Sequence, residues 1–273
     1  MSKLEQFLKE LKLTPKQMNT FSVNNNSISL NMNNLSYELT IKDKSKTAVI
    51  FLTYVRLEYI PQTAECFRNQ TNKDFDLYIS NNSPMQDKCV EKIKKYLSNI
   101  GTNVYVRNDN NEYKIFSRFY MAKELEAEGY EKIIFLDDDE IFPDTFIQEC
   151  YDQYEEDVVK TFWAHKIESI YKRKVKLEGN ELGNYAGGGG LVCSSKVFTN
   201  EELFNCPEKY MIVDDLWLSY CLLKFTDYKI KTLKTNIQFL KDKKATFLTL
   251  GNLKQEFSNK FIIPNSQHLT RLV

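Results

Sequence analysis

Residues 133–139 read Ile-Ile-Phe-Leu-Asp-Asp-Asp, an apolar run that stops in three carboxylates. Two hard oxygen donors two residues apart suit Mg²⁺ or Mn²⁺ carrying a diphosphate. Alternate side chains of an extended chain point the same way, so Asp137 and Asp139 are expected to converge on one ligand while Asp138 faces away. The other reading is an acidic turn that closes a strand, helped by Pro143 and Asp144. A second acidic pair, Asp214-Asp215, opens the segment LWLSYCLL, whose apolar density predicts a largely buried helix. One Asp there suits the N-cap. The other, in the first turn, can take a proton from a substrate hydroxyl. The positive helix end would keep it ionised while reducing its basicity. Residues 187–190 are four glycines running into apolar Leu-Val-Cys, with no GxxxxGK[ST] phosphate loop. A buried turn that lets a ligand approach the backbone is expected, with a flexible surface loop as the alternative.

These residues need a scaffold, and the rhythm from residue 47 onward supplies one. Strands are expected at 48–54, 75–80, 103–107 and 132–136, with helices at 60–70, 87–100 and 115–128 between them. Such alternation predicts βαβ units and a parallel sheet, whose ligands bind beyond the carboxyl ends of the strands. Asp137–139 would sit there. So would Arg56, after the first strand, and Lys114 and Arg118, before the helix that leads to the acidic strand. Each alone reads as a solvated surface charge; together at one rim they can hold the base and diphosphate of a nucleotide. The second half is less regular, with strands expected at 158–164, 166–171 and 228–233 and a helix from about 214. Its tail from Lys241 is basic, then mixed. Residues 1–46 read differently: helical spacing at 2–12, a turn at Thr14-Pro15, then alternating segments 27–32 and 35–41 around Asn33-Asn34, a hairpin pattern. They form an expected appendage (1–46) to a main domain (47–273), able to pack on it or on another copy in a homo-oligomer.

The 273 residues are 42% hydrophobic and 13% aromatic, enough for a substantial core. Lys+Arg and Asp+Glu balance at 37 each, so nothing suggests bulk attraction to nucleic acid or an anionic membrane. No apolar run is long enough to span a bilayer and the start is no signal peptide, so a cytoplasmic protein without an integral membrane segment is expected. The six cysteines are dispersed without a CxxC pair, as reduced structural thiols would be. His165 and His268 are the only histidines, and either could be a third metal ligand.

Taken together, the motifs resemble GT-A nucleotide-sugar glycosyltransferases of the family 2 type, over about residues 47–235. AVIFLTYVR (48–56) resembles the family's first strand, with Val55 in the place of an Asn. LYISNNS (77–83) resembles its second strand and turn, with Ser80 in place of the Asp that contacts uracil. FSRFYMAKEL places Arg118 before a helix, IIFLDDDE resembles the DxD strand, and AGGGGLVCSSKVF resembles the Gly-rich stretch. DDLWLSYCL resembles the Glu-Asp-x-x-Leu segment. The resemblance implies a GT-A, Rossmann-like α/β fold: a mostly parallel twisted sheet flanked by helices, with residues 47–139 as its nucleotide-binding half and 140–273 as its acceptor half. It implies donor contacts from Thr53, Tyr54, Arg56, Ser80, Asn81, Lys114, Arg118, Asp137 and Asp138. Mn²⁺ or Mg²⁺ would be held by Asp139, with Asp137 and His268. Gly188, Gly189, Gly190 and Trp217 would line the sugar and acceptor. Asp215 would be the catalytic base, with Asp214 beside it. The implied reaction moves a sugar, with UDP-sugar the expected donor, to a hydroxyl of a glycan, glycolipid or protein, with inversion.

Two other classes stay open on the residues alone. A dehalogenase-type phosphatase also ends a strand in Asp-x-Asp and uses a later acidic pair for Mg²⁺. Ile141 then stands where Thr or Val is expected, and the strands before residue 130 lack a role. A non-catalytic glycan- or nucleotide-binding module on the same fold would have no use for a base.

Overall fold

The computed structural model describes the backbone of residues 21–24, 27–32 and 35–40 and, in full, residues 45–108, 113–240 and 250–266. The expected helix at 2–12, the turn at 14–15 and His268 lie outside the described residues. The chain divides into two units, Met1–Lys44 and Ser45–Val273. The division falls two residues before the expected one because Ser45 and Lys46 bond into the larger unit. The Ser45 hydroxyl donates to the Asp74 carbonyl, and the Lys46 carbonyl accepts from the Glu131 and Lys132 amides.

In the smaller unit β1 (Phe21–Asn24), β2 (Ser27–Met32) and β3 (Leu35–Thr40) form an antiparallel sheet in chain order. The β2–β3 ladder runs to Met32↔Leu35, the hairpin read from the alternating sequence.

In the larger unit the elements are β4 (Thr47–Thr53), α1 (Ile60–Asn69), β5 (Asp76–Asn81), α2 (Gln86–Leu97), β6 (Asn103–Asn108), α3 (Ser117–Ala127) and β7 (Lys132–Asp137). There follow β8 (Glu140–Ile141), α4 (Phe146–Gln153), β9 (Val158–Thr161), β10 (Ala164–Lys166), β11 (Val175–Lys176), β12 (Tyr185–Ala186) and β13 (Leu191–Ser194). Next come α5 (Asp214–Phe225), β14 (Lys229–Thr232), β15 (Gln238–Phe239) and α6 (Gly251–Phe257), which runs on through a π-helical stretch Ser258–Ile262 into a last turn Ile263–Asn265. Seven strands make one sheet in the order β14-β9-β13-β7-β4-β5-β6. All neighbours run parallel except β13, which is antiparallel to both β7 and β9.

Central strands that are apolar on both faces must be covered on both faces. β4 is buried along its whole length. Its Ala48 and Ile50, with Ile133 and Phe135 of β7, pack on Phe119, Ala122 and Leu125 of α3, Leu216 of α5 and Phe257 of α6. Its Val49 and Phe51, with Ile134 and Leu136, pack on Ile60 and Phe67 of α1, Ile93 and Leu97 of α2 and Phe146 of α4. The period of two thus sorts one strand's side chains into two cores.

One expectation fails in the second half. The strands anticipated at 158–164 and 166–171 appear as β9 and the three-residue β10, which joins β11 and β12 in a small separate sheet. The chain leaves the main sheet at Phe162, whose amide turns to the Gly190 carbonyl, and the Trp163 amide is taken by the Thr161 hydroxyl. Residues 171–173 form a 3₁₀ turn. This detour carries Trp163, His165, Lys174 and Tyr185 to the carboxyl edge of the large sheet, beside the acidic strand end.

Candidate active site

The carboxyl ends of β4, β5 and β7 open into a cavity of about 1090 Å³. Tyr54, Arg56, Asn82, Lys114, Arg118, Asp137, Asp138, Asp139, Gly188, Gly189, Asp214 and Asp215 all reach it. Segments some 160 residues apart therefore meet at one sheet edge, as the strand order requires.

Arg118 is the centre of the arrangement. Its side chain is 1% exposed, with Nη2 3.0 Å from Asp137 Oδ1 and Nε 3.1 Å from Asp214 Oδ2. Neither contact is aligned as a hydrogen bond, so charge holds it there. Nη1 donates to the Gly188 carbonyl at 3.2 Å. Burial would lower its pKa, but Asp137 and Asp214 outweigh burial and raise it. Arg118 thus lines the cavity where a donor contact was expected, with its charge engaged by two carboxylates of the chain itself.

The acidic turn also departs from simple alternation. β7 ends at Asp137, so the rule that would point Asp138 away stops one residue too early. Asp138 is buried, accepts the Tyr54 amide at 3.0 Å and pairs with Arg56 at 2.7 Å. A second Arg56 nitrogen lies 3.2 Å from Asp139. Burial, and next the charge of Asp137, push the Asp139 carboxyl up to about 7. Glu140 is fully buried, accepts the Asp137 amide through Oε2, and leaves Oε1 without a hydrogen bond. Burial and the charge of Asp137 raise it well above the usual carboxylate range. A Cβ at Gly189 would collide with this carboxylate, and one at Gly188 would come within 3.2 Å of Arg118 Nη1. Close approach leaves no room for a side chain at Gly189 and little at Gly188.

Neither Asp of the second pair caps its helix. Val213 is the N-cap, and Asp214 and Asp215 are the first two residues of α5, which frees both side chains for the cavity. Burial raises Asp214 against the pull of Arg118. Asp215 moves the other way. Burial would raise it, yet Lys254 Nζ at 3.1 Å and the Tyr185 hydroxyl hold it below the usual carboxylate range.

Other expected residues lie off the cavity. Trp217 sits in the core between α5 and α6, its indole N–H donating to the Leu203 carbonyl at 2.8 Å and its ring packed against Phe257, because it points from the opposite side of α5. Thr53, Ser80 and Asn81 are buried under the rim. Ser80 bonds Ser117, and Asn81 bonds Asn108 and accepts weakly from Thr53. It is Asn82, one residue on, that reaches the cavity. Gly190 has φ +59 and packs on Ile237 and Phe162. His165 lines the cavity, but burial lowers it to about 4 and its Nδ1 faces the Trp163 carbonyl at 3.0 Å.

Among the described residues no group of three His, Cys, Asp or Glu side chains is gathered as a metal cage. Asp137 and Asp139 alone suit a hard divalent ion whose remaining ligands are water and phosphate oxygens. Asp137 Oδ1 faces Arg118 at 3.0 Å without an aligned hydrogen bond, and after burial it is the charge of Asp137 that lifts Asp139, a repulsion a cation would relieve. The residues fit such an ion.

Lys254, Tyr185, Lys174 and Glu140 were not anticipated from the sequence. Lys254 had one signal: Leu250, Leu253, Phe257 and Phe261 follow helical spacing, and Lys254 falls on their apolar stripe. A lysine there needs an anionic partner.

The family model described as Glycosyl transferase family 2 matches residues 48–200, more than half of the chain. The chain belongs to that family, on a GT-A fold. The match spans the early strands that a phosphatase reading leaves without a role. The crystal structure of GalNAc-T7 with UDP, GalNAc and Mn²⁺ is similar at 11% identity and a TM-score of 0.58, over 81% of this chain and 47% of that one. The S. aureus TarS 1–349 complex with UDP aligns at 17% identity and a TM-score of 0.47, over 68% of this chain and 57% of that one. This chain therefore spans about half the length of these proteins. No curated protein matches it.

Two outcomes are expected. Removing one member of a buried ion cluster leaves the others uncompensated, so Arg118→Ala should cost about 3–5 kcal/mol in urea denaturation, partly restored by adding Asp214→Asn. A loss within the range of a surface pair, about 1 kcal/mol or less, would contradict the central role of Arg118. His165 gives a pH signature. Below about 6.5 the unfolded chain takes up a proton that the folded chain refuses until about 4, so stability is lost as pH falls through that window. The melting temperature of the wild type should fall more steeply there than that of His165→Gln; parallel curves would contradict it.

Proposed function

We propose that this chain moves a sugar from a nucleotide-sugar, with UDP the expected nucleotide, to an acceptor hydroxyl and inverts the anomeric centre. The observation that carries the reading is the meeting of Asp137 and Asp139 with Asp215 in one cavity, linked through Arg118 and Asp214. Asp139 and Asp137 would hold a divalent ion, Mn²⁺ or Mg²⁺, which when bound supplies positive charge against the diphosphate of the leaving nucleotide. Tyr54, Arg56, Asn82 and Lys114 form the wall assigned to that nucleotide, beside the acidic turn. Gly188 and Gly189 line the part of the cavity assigned to the donor sugar.

Asp215 takes the proton of the acceptor hydroxyl. The acceptor oxygen bonds to the anomeric carbon from the face opposite the leaving group, and the electrons of the broken C–O bond depart with the nucleoside diphosphate. A single displacement of this kind inverts configuration. Lys254 and Tyr185 keep Asp215 ionised at neutral pH, as a base must be, while weakening its pull on the proton.

Within this reading residues 47–139 serve the nucleotide and 140–273 the acceptor, which is a glycan, glycolipid or protein hydroxyl. Six free cysteines fit a reducing compartment, so the cytoplasm is the proposed site of action. No described helix is long and apolar enough to cross a membrane.

A ligand that binds only the folded state raises its stability, by about 2.7 kcal/mol at a hundredfold excess over Kd. UDP with Mn²⁺ should therefore raise the melting temperature more than GDP or CDP, with the effect reduced by EDTA and by Asp139→Ala. No shift with any nucleotide would sink the donor site. Asp215→Asn should lower kcat by about 10²–10⁴-fold, the usual contribution of a general base, while leaving the UDP shift in place. Transfer at the wild-type rate would remove Asp215 from the mechanism.

A further inference from the structure

On the cavity wall beside Asp215 stand two lysines, Lys254 and Lys174. Lys254 is buried with Nζ 3.1 Å from Asp215 Oδ2 and 3.4 Å from the Tyr171 hydroxyl, so that pair is neutral as a unit. Lys174 lines the same cavity, with its ammonium 4.3 Å from the centre of the Tyr171 ring and 6.0 Å from that of Tyr185. Among the described residues no carboxylate forms an ion pair with it; Asp215, already engaged by Lys254, is the one acidic group that acts on its charge. Burial, and next the charge of Lys254, lower its pKa. His165, on the same wall, is neutral at neutral pH.

An ammonium half withdrawn from water beside a second one is unfavourable unless an anion joins it. The nucleotide does not need this cation. Lys114, whose carbonyl accepts from Asn82 at the end of β5, stands on the nucleotide wall, and Arg56 already neutralises the acidic turn. The rings of Tyr171 and Tyr185 stand beside Lys174, those of Trp163 and Phe239 line the same cavity, and such rings offer flat apolar faces to a sugar.

We propose that the acceptor is a sugar bearing an anionic group, a carboxylate or a phosphate, which Lys174 receives while the neighbouring hydroxyl meets Asp215. The proposal rests on the transfer reading for its word acceptor, but the anion subsite stands or falls on binding alone. Lys174 acts as a specificity-determining residue and takes no part in proton transfer.

The test is calorimetric titration of the full chain, with UDP and Mn²⁺ present, against methyl β-glucoside, methyl β-glucuronide and glucose 6-phosphate. At least one anionic probe should bind about tenfold or more tighter than the glucoside, the size of one charge-assisted contact. Preference for the glucuronide would identify a carboxylate, and preference for glucose 6-phosphate a phosphate. Lys174→Ala should erase the preference and Lys174→Arg retain it, both with unchanged melting temperature and unchanged UDP affinity. Equal binding of all three probes, or a preference that survives Lys174→Ala, would overturn the proposal. So would loss of UDP affinity in Lys174→Ala, which would give the ammonium to the donor. A chain that fails to bind UDP yet keeps a Lys174-dependent preference would refute the transfer reading and leave the anion subsite intact.

Discussion

A single buried guanidinium holds this site together. Arg118 gathers Asp137 from the end of β7, Asp214 from the start of α5 and the Gly188 carbonyl from the glycine turn. Each buried ion costs several kcal/mol in lost hydration, and well-packed apolar residues in their place would often be as stable or more so. A fold selected for stability alone has no reason to keep two aspartates, an arginine and a buried glutamate at one sheet edge. Such concentrations of perturbed carboxyls mark functional sites.

The rest of the site follows from that cluster. Because Glu140 and Arg118 press against the turn, position 189 has no room for a side chain and position 188 has little. Because Asp214 is committed to Arg118, the adjacent Asp215 is left to face the cavity, where Lys254 and Tyr185 set its charge. Two neighbouring aspartates in one helical turn are thus pushed in opposite directions, Asp214 up by burial and Asp215 down by its partners. Opposite shifts in adjacent carboxyls are the usual sign that they play different parts. The acidic turn has its own counterweight in Arg56, which ties Asp138 and Asp139 to the end of β4.

The sequence made the sheet legible because its central strands are apolar on both faces and the helices between them keep a clean period. The places where the site would form were legible too, since Asp137–Asp139, the glycines and Asp214–Asp215 are dense local signals. Side-chain direction was not. Asp138 turned inward because the strand ends at Asp137, and Trp217 went to the core because α5 is covered on several sides, so apolar neighbours alone did not mark its exposed face. Arg118 looked like a surface cation, since nothing nearby in sequence announces the two carboxylates that bury it. Lys254 and Lys174 come from the irregular second half, where contacts depend on how β10–β12 and α6 fold back rather than on any local pattern.

The most direct measurement is a crystal structure of the chain with UDP and Mn²⁺. The account predicts the diphosphate and the ion at Asp139, the nucleoside along Tyr54 and Lys114, and Arg118 still seated between Asp137 and Asp214. UDP bound outside this cavity, or lying along the Lys174–Asp215 wall without touching Asp139, would contradict it.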